Sequence, residues 1–480
     1  MNKITLDKNI DKALYIQLYE KVKNLIEKGD IEGEKLPSIR ALSKSLNVNN
    51  VTVVSAYKLL ETEGYVYSLK GSGTYINKSP LEMKNNFPEE DIDLMNSGIL
   101  HLSEDSINFA SASPTPDIFP IENFKKALIE VLDRDKGHAF SYPEITGYEP
   151  LRQSISKFLI DNYNTHVNKD SILITSGGQQ GLDIIAKTLI SPGDYIIVEN
   201  PTYSAALAAF KSRGAKIIGV PMLSDGVDID ILKSYINRYN PKFLYVMTNF
   251  QSPTTYSYSE EKKRELIEIV NNNNLYIIED DFLTDLYFEH KKTPLKAIDK
   301  NDKVIFIKSF SKVFMPGVRI GFVTLPNNLF TKIIKAKHTT DVTSSGYLQR
   351  AFDLYLRDGY WKEHIENIKG VYKSKYELVI SLLSELKEYG VDYTRPDGGL
   401  SIWIKLPHEI DSLVFYKECR ENKVAIVPGK IFSIDNSNSN HIRLSFGSVD
   451  KDDIVKGINI MTSLISKKFK DKDKNYMPFI

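Results

Sequence analysis

The densest chemistry in this 480-residue chain lies in the string IKSFSKVFMPGVRIGF, residues 307–322. Lys312 follows a strand-like apolar run (VIFIK) and a turn of small residues, with Ser309 and Ser311 before it and Arg319 after it. A lysine attacks an aldehyde only as the neutral amine, so a lysine meant for that reaction sits where its pKa is depressed. Hydroxyls and a planar guanidinium fork are the donors that suit a dianionic phosphate. Together they describe a place where an amine can condense with a phosphorylated aldehyde. A lone lysine after a strand is more often a solvated surface residue, so this string carries weight only with others.

The others follow in an order that resembles the cofactor site of fold-type I aminotransferases. SYPEITGYEPLR resembles the segment whose tyrosine, here Tyr142, reaches the phosphate held by the other subunit, which implies a homodimer. TSGGQQGLDII is a glycine turn feeding a helix, where Gly178 and Gln179 offer backbone amides to the phosphate. ENPTYSAAL puts Tyr203 past a strand end, with its ring against the pyridine face. LYIIEDDF ends a strand with Asp280, which pairs with the protonated pyridine nitrogen and keeps the ring an electron sink. NHIRLSFG resembles the late strand whose arginine, here Arg443, grips a substrate α-carboxylate. FASASPTPDIFP, FQSPTT, RPDGGLSIWIKLP and VAIVPGKIF match further landmarks. The resemblance implies pyridoxal 5'-phosphate as the cofactor, Lys312 as its Schiff-base lysine, and Ser309, Ser311 and Arg319 as phosphate ligands. Taken singly, each string has a plainer reading: adjacent acids cap the next helix, a Pro-x-Tyr turn packs, an arginine on a strand makes a surface ion pair. Their joint order over residues 107–450 reverses the odds. Two departures bear on reactivity. Phe282 stands where the family commonly has a tyrosine, and Ser252 where it has the asparagine that holds the cofactor's ring oxygen. With both donors weakened, transamination is expected to be slower than in a dedicated enzyme.

A second constellation opens the chain. LPSIRALSKSLNVNNVTVVSAYKLLETEGYVYSLKGSGTYI resembles the GntR-type winged helix-turn-helix along its whole length. The resemblance implies double-stranded DNA as a partner. Ser38, Arg40, Asn49, Asn50, Thr52, Ser55, Tyr57 and Lys70 are the expected DNA-binding residues: the recognition helix near 50–62 enters the major groove, and Lys70 reaches the neighbouring minor groove from the wing. The family usually has arginine near the start of that helix; Asn50 here can still read adenine but brings no charge.

These residues need elements to hold them. Leu14, Leu18, Val22 and Leu25 fall at helical spacing within 13–28, a helix that Gly29 ends. Pro37 is expected to open a second short helix that Asn47 breaks, and Asn49 or Asn50 to cap a third, which Gly64 ends. YVYSLKGSGTYI reads as a hairpin. Residues 78–105 are polar and acidic and read as a linker. Beyond them SILIT, DYIIVE, AKIIGV, FLYVMT, LYIIED and KVIFIK alternate with helical runs, the pattern of a largely parallel sheet.

Composition narrows the class without naming it. Hydrophobic residues make up 42% and charged residues 26%, as in a globular protein. No apolar run reaches the roughly 18 residues a membrane span needs, the first residues read as no signal peptide, and the single Cys419 excludes an intrachain disulfide. No metal site and a cytoplasmic location are expected. The 62 basic and 62 acidic residues cancel, and residues 1–77 carry 11 basic against 9 acidic, so charge alone argues little for nucleic acid.

The expectation is therefore a multidomain α/β chain: a winged helix-turn-helix over 1–77, a linker over 78–105, and over 106–480 an aminotransferase-like domain with a large, mostly parallel α/β part and a smaller C-terminal α+β part. The two halves together resemble MocR-type regulators. That implies a head-to-tail, domain-swapped homodimer controlled by a small amino-compound effector, or by vitamin B6 alone. The competing expectation is a working aminotransferase of the 2-aminoadipate or aromatic type with a vestigial DNA domain.

Overall fold

Burial in the N-terminal unit follows the helical spacing of its apolar residues. The computed structural model describes residues 4, 6, 13–27, 35–62, 65–69, 73–76, 105–434 and 440–475, and the chain divides into two compact units, Met1–Ile92 and Asp93–Ile480. The first holds α1 (Leu14–Glu27), α2 (Ile39–Leu46), α3 (Asn50–Thr62) and an antiparallel hairpin of β1 (Val66–Leu69) and β2 (Gly73–Ile76). Leu18, Val22, Leu42, Val53, Ala56 and Leu60 meet in one core. Asn47 ends α2 in the left-handed region at φ 50°, its N–H donating to the Ser43 carbonyl. An asparagine tolerates that conformation better than most residues, and α3 starts at Asn50, the tight elbow of a helix-turn-helix.

Local details correct the sequence reading. Pro37 does not open α2; Ser38 is its N-cap, the hydroxyl accepting from the Ala41 amide at 3.2 Å. Asn49 caps α3, accepting from the Val51 amide at 3.1 Å, whereas the Asn50 side chain accepts from the Ser43 hydroxyl at 2.6 Å. Tyr57, expected on the DNA side, is a core residue: it is 4% exposed and its hydroxyl donates to the Pro37 carbonyl at 2.9 Å. Position 57 lies four residues after Val53, so it shares the buried stripe. Lys70, the helix ends expected at Gly29 and Gly64, and the linker up to residue 104 lie outside the described residues.

The second unit is built on strands β3 (Ile172–Thr175), β4 (Tyr195–Asn200), β5 (Lys216–Leu223), β6 (Gly226–Val227), β7 (Phe243–Val246), β8 (Tyr276–Asp281), β9 (Val304–Ser309) and β10 (Gly321–Thr324), in the order β3-β10-β9-β8-β7-β4-β5-β6. Strands β9, β8, β7, β4 and β5 pair in parallel, and β10 runs antiparallel between β9 and β3. The expected largely parallel sheet is thus present, with two reversed strands, β10 and the short edge strand β6, that no alternation in the sequence announced. A smaller antiparallel sheet of β11 (Asp392–Tyr393), β12 (Ser401–Lys405), β13 (Val427–Pro428) and β14 (His441–Ser445) forms the C-terminal part, in the order β11-β12-β14-β13.

Side-chain alternation sorts the large sheet into two faces. Ile196, Val198, Phe243, Tyr245, Ile278, Ile305 and Ile307 pack on one side with α4 (Gly178–Leu189) and α5 (Ser204–Lys211). Ile197, Leu244, Val246, Ile277 and Val304 pack on the other with α6 (Ile229–Tyr239) and α7 (Glu260–Asn272). Both faces are covered, which is why these strands read as continuous apolar runs. The strands end at one edge, where α/β sheets of this kind bind ligands. Tyr57→Phe should cost the N-terminal unit about 1 kcal/mol in a thermal melt, the worth of one hydrogen bond, while affinity for duplex DNA stays unchanged; loss of DNA binding in this variant would put Tyr57 back among the contacts.

Candidate cofactor site

The strand edge gathers most of the residues singled out from the sequence. Ser309 is the last residue of β9 and Gly178 the first of α4; a Cβ on Gly178 would lie 3.2 Å from the Ser309 Cβ, so the two are in contact. Arg319 donates to the Ser311 hydroxyl at 3.2 Å and to the Ser176 carbonyl at 2.7 Å. Gly177 caps α4 without a side-chain acceptor, at φ 79°. The positive φ demands glycine, and a Cβ there would stand 2.6 Å from Arg319 Nη2 and displace the guanidinium. The first amides of α4, two hydroxyls and a guanidinium therefore converge at a helix N-terminus, which favours a phosphate. The Gln179 side chain turns away, donating to the Ala205 carbonyl at 3.3 Å, which leaves its backbone amide as the relevant group.

Lys312 is half-buried, and its ammonium donates to the Ser113 hydroxyl at 3.4 Å. Its pKa is brought down to about 8, by burial first and then by the charges of Arg443 and Arg319. Arg443 sits on β14, donates from Nη2 to the Ala110 carbonyl at 2.8 Å, and leaves Nε buried without a partner among the described residues. Its guanidinium lies 5.2 Å from the Phe432 ring centre. Burial lowers its own pKa to about 10. Tyr203 joins the same group: burial and the charge of Asp280 push its phenol up to about 12, against the pull of Arg443 and Arg319.

Asp280, 6% exposed, accepts from the Tyr245 hydroxyl at 2.8 Å. Burial pushes its carboxyl up to about 7, opposed by that hydrogen bond and aided by Asp281 and Glu279. Tyr245 pairs in register with Ile278, two residues before Asp280, so alternation sets phenol and carboxylate on one face. Nothing in the sequence pointed to Tyr245, because a tyrosine in a fully buried strand reads as core. Asp281 faces the other way. It accepts from the Leu283 and Thr284 amides, at 3.3 and 3.0 Å. It also pairs with the fully buried Lys308 at 2.9 Å, which meets Asp285 at 2.7 Å and the Tyr163 hydroxyl at 2.8 Å. Burial works against the Lys308 charge, but the two carboxylates outweigh it and raise the pKa. The paired acids thus split: one faces the pocket, and the other does the plain work of capping and ion pairing.

Two residues stand apart. Ser252, half-buried in the loop after β7, has no side-chain partner among the described residues; that loop is organised by Gln251, which donates to Glu199 at 3.0 Å and to the Pro201 carbonyl at 2.8 Å. Tyr142 is 85% exposed and makes no side-chain hydrogen bond among the described residues. Ser113, Ser176 and Gly177 complete the group without having been singled out, although FASASPTP and TSGG had marked their neighbourhoods. Among the described residues no cluster of His, Cys, Asp or Glu could hold a metal ion, and no helix is long and apolar enough to cross a membrane.

Comparison with known proteins places this geometry. Residues 104–459 match the family described as aminotransferase class I and II, and residues 14–76 match the gntR family of bacterial regulatory proteins. The chain belongs to the aminotransferase class I and II family and carries a gntR-type domain ahead of it. The kynurenine aminotransferase of Pyrococcus horikoshii, solved in complex with PMP, superposes with a TM-score of 0.75 at 31% identity, over 82% of this chain and 97% of that one. Aromatic-amino-acid aminotransferase 1 of Thermococcus litoralis is 31% identical over 77% of this chain and 90% of its own length. The uncharacterised HTH-type transcriptional regulator YdfD of Bacillus subtilis is also 31% identical, over 92% of this chain and 94% of its own.

The fold implies pyridoxal phosphate as cofactor, and the residues fit it: a glycine cradle under Arg319 for the phosphate, a buried acid for the ring nitrogen, an amine of lowered pKa, and an unsatisfied buried guanidinium nitrogen nearby. Two outcomes follow. Protein stripped of cofactor should take up pyridoxal phosphate at a rate that climbs with pH and levels off near 8; Arg443→Gln, by removing a neighbouring cation, should shift that levelling-off upward in stopped-flow absorbance, and identical profiles would separate the two groups. Lys308→Met leaves two buried carboxylates unpaired and should cost roughly 3–5 kcal/mol in denaturant unfolding; a loss below 1 kcal/mol would show that the cluster relaxes freely.

Proposed function

We propose that this protein is a pyridoxal-phosphate-dependent, DNA-binding transcription regulator, acting as a homodimer, that senses an amino acid, amine or B6 vitamer. The observation that carries the reading is coverage. The regulator YdfD aligns across both units, whereas the Thermococcus enzyme accounts for 77% of the chain.

In this reading Lys312 holds the cofactor's aldehyde carbon. The Gly178 and Gln179 amides, Ser309, Ser311, Arg319 and the partner subunit's Tyr142 hold its phosphate. Asp280, kept in place by Tyr245, would pair with the ring nitrogen; Tyr203 would pack against the ring, and Ser252 would serve its ring oxygen. Pyridoxal phosphate, when bound, supplies an aldehyde that condenses with amines and a ring that withdraws electrons from the attached carbon. Arg443 selects ligands bearing a carboxylate, since its Nε has no other partner among the described residues. Burial of Lys312 beside two guanidinium groups keeps a useful fraction of its amine neutral at pH 7 to 8. Such a ligand switches transcription only if it binds two arrangements of the protein with different affinity. On the DNA side Ser38, Arg40, Asn49, Asn50, Thr52, Ser55 and Lys70 remain the proposed contacts.

The second reading, an aminotransferase of the 2-aminoadipate or aromatic type, draws on the joint presence of Lys312, Asp280, Arg319 and Arg443. Fluorescence anisotropy on the duplex upstream of the protein's own gene, beside a transaminase assay with several keto acids, separates the two. Arg40→Ala should abolish DNA binding and leave the visible spectrum intact. Lys312→Ala should bind DNA but lose its response to amino compounds. Wild-type binding should fall steeply with salt. Because Phe282 and Ser252 supply fewer donors to the ring oxygen, the absorbance of the aldehyde form should persist through a single-turnover mix with amino acids. Its rapid and complete loss, without DNA binding, would favour the enzyme.

A further inference from the structure

On α3 the residues opposite the core are not only the exposed asparagines that the motif brings forward. Val51 is 66% exposed and Val54 43%. With the half-buried Ser55 and the exposed Lys58 they occupy the i, i+3, i+4, i+7 stripe that faces away from Val53, Ala56, Tyr57 and Leu60. Meanwhile Asn49 is engaged as the helix cap and Asn50 with Ser43. A β-branched residue at an exposed helical position has no packing to gain and a poor helix propensity, so neither valine is accounted for by the fold of this unit.

We propose that Val51 and Val54 determine operator specificity by contacting thymine C5 methyl groups in the major groove. The inference rests on the reading of this unit as a DNA reader, carried by the match of residues 14–76. Thymine is the base whose major-groove edge offers an apolar group, and apolar side chains are what recognise it. Duplex DNA is the occupant that fits. Two valines fall far short of the roughly 1,000 Å² a stable protein interface needs, while Arg40 and Lys44 stand exposed on α2, on the other side of the same elbow, where backbone phosphates attract cations. The half-sites recognised should therefore carry thymine at one or two positions under the first two turns of α3, and the Asn50 departure from the family's arginine becomes part of a shift from charged to apolar readout.

The full-length, cofactor-loaded protein can select its site from a pool of random duplexes. The selected duplex is then remade with deoxyuridine, which lacks the methyl, in place of each thymidine in turn, and affinities are read by anisotropy at fixed salt. The expected result is about four-fold weaker binding at one or two positions in each half-site, the worth of one buried methyl. Val51→Ser and Val54→Ser should bind thymidine and deoxyuridine duplexes alike, with unchanged melting and visible spectra. A wild type indifferent to deoxyuridine at every position, or serine variants that keep the discrimination, would overturn the proposal. A protein that selects no sequence and shows no salt-dependent binding would defeat the DNA-binding reading beneath it instead.

Discussion

Burial of the Lys312 amine, reinforced by the charges of Arg443 and Arg319, is the constraint on which the site of the C-terminal unit depends. Withdrawal from water raises the free energy of the lysine ammonium first, the two guanidinium charges add to it, and the lysine responds by releasing its proton more readily. The same field makes the place attractive to a dianion and to a carboxylate. A pocket with this charge excess is costly to assemble, and the fold holds it open with rigid parts: the end of β9, the start of α4, and a glycine whose replacement would collide with Arg319.

The sheet also separates two electrostatic tasks that the sequence writes side by side. Asp280 and Asp281 are adjacent, yet a strand sends them to opposite faces. One meets Tyr245 and the pocket, and the other meets Lys308, Asp285 and Tyr163 in the interior. Pairing in the second group keeps a buried negative charge from accumulating behind Asp280, whose own pKa is already high from burial. An ion cluster on one face of the sheet and a ligand site on the other are thus supported by one pair of strands.

The N-terminal unit follows a different logic. Its small core uses a single stripe of each helix, so the outward stripe is free to carry information. Tyr57 on the inner stripe and Val51 on the outer one differ by a rotation about the helix axis, and that rotation divides stability from recognition. One chain carries a unit of this kind and a unit of the aminotransferase class I and II family; under the proposed function, a ligand that discriminates between arrangements would link what the second binds to what the first reads.

Much of this was legible in the order of the residues. Strand-sized apolar runs between helical ones specify a parallel sheet, and Lys312, Arg319, Asp280, Tyr203 and Arg443 stand out because reactive side chains recur at strand ends. Local spacing carries that information, since a strand or helix is a short-range object. It could not carry that Lys308 is buried rather than solvated, that Tyr245 supports Asp280, or that the Asn50 side chain meets Ser43. Each of those depends on register between strands or on the rotation of a helix against its neighbours, contacts made between residues of different elements.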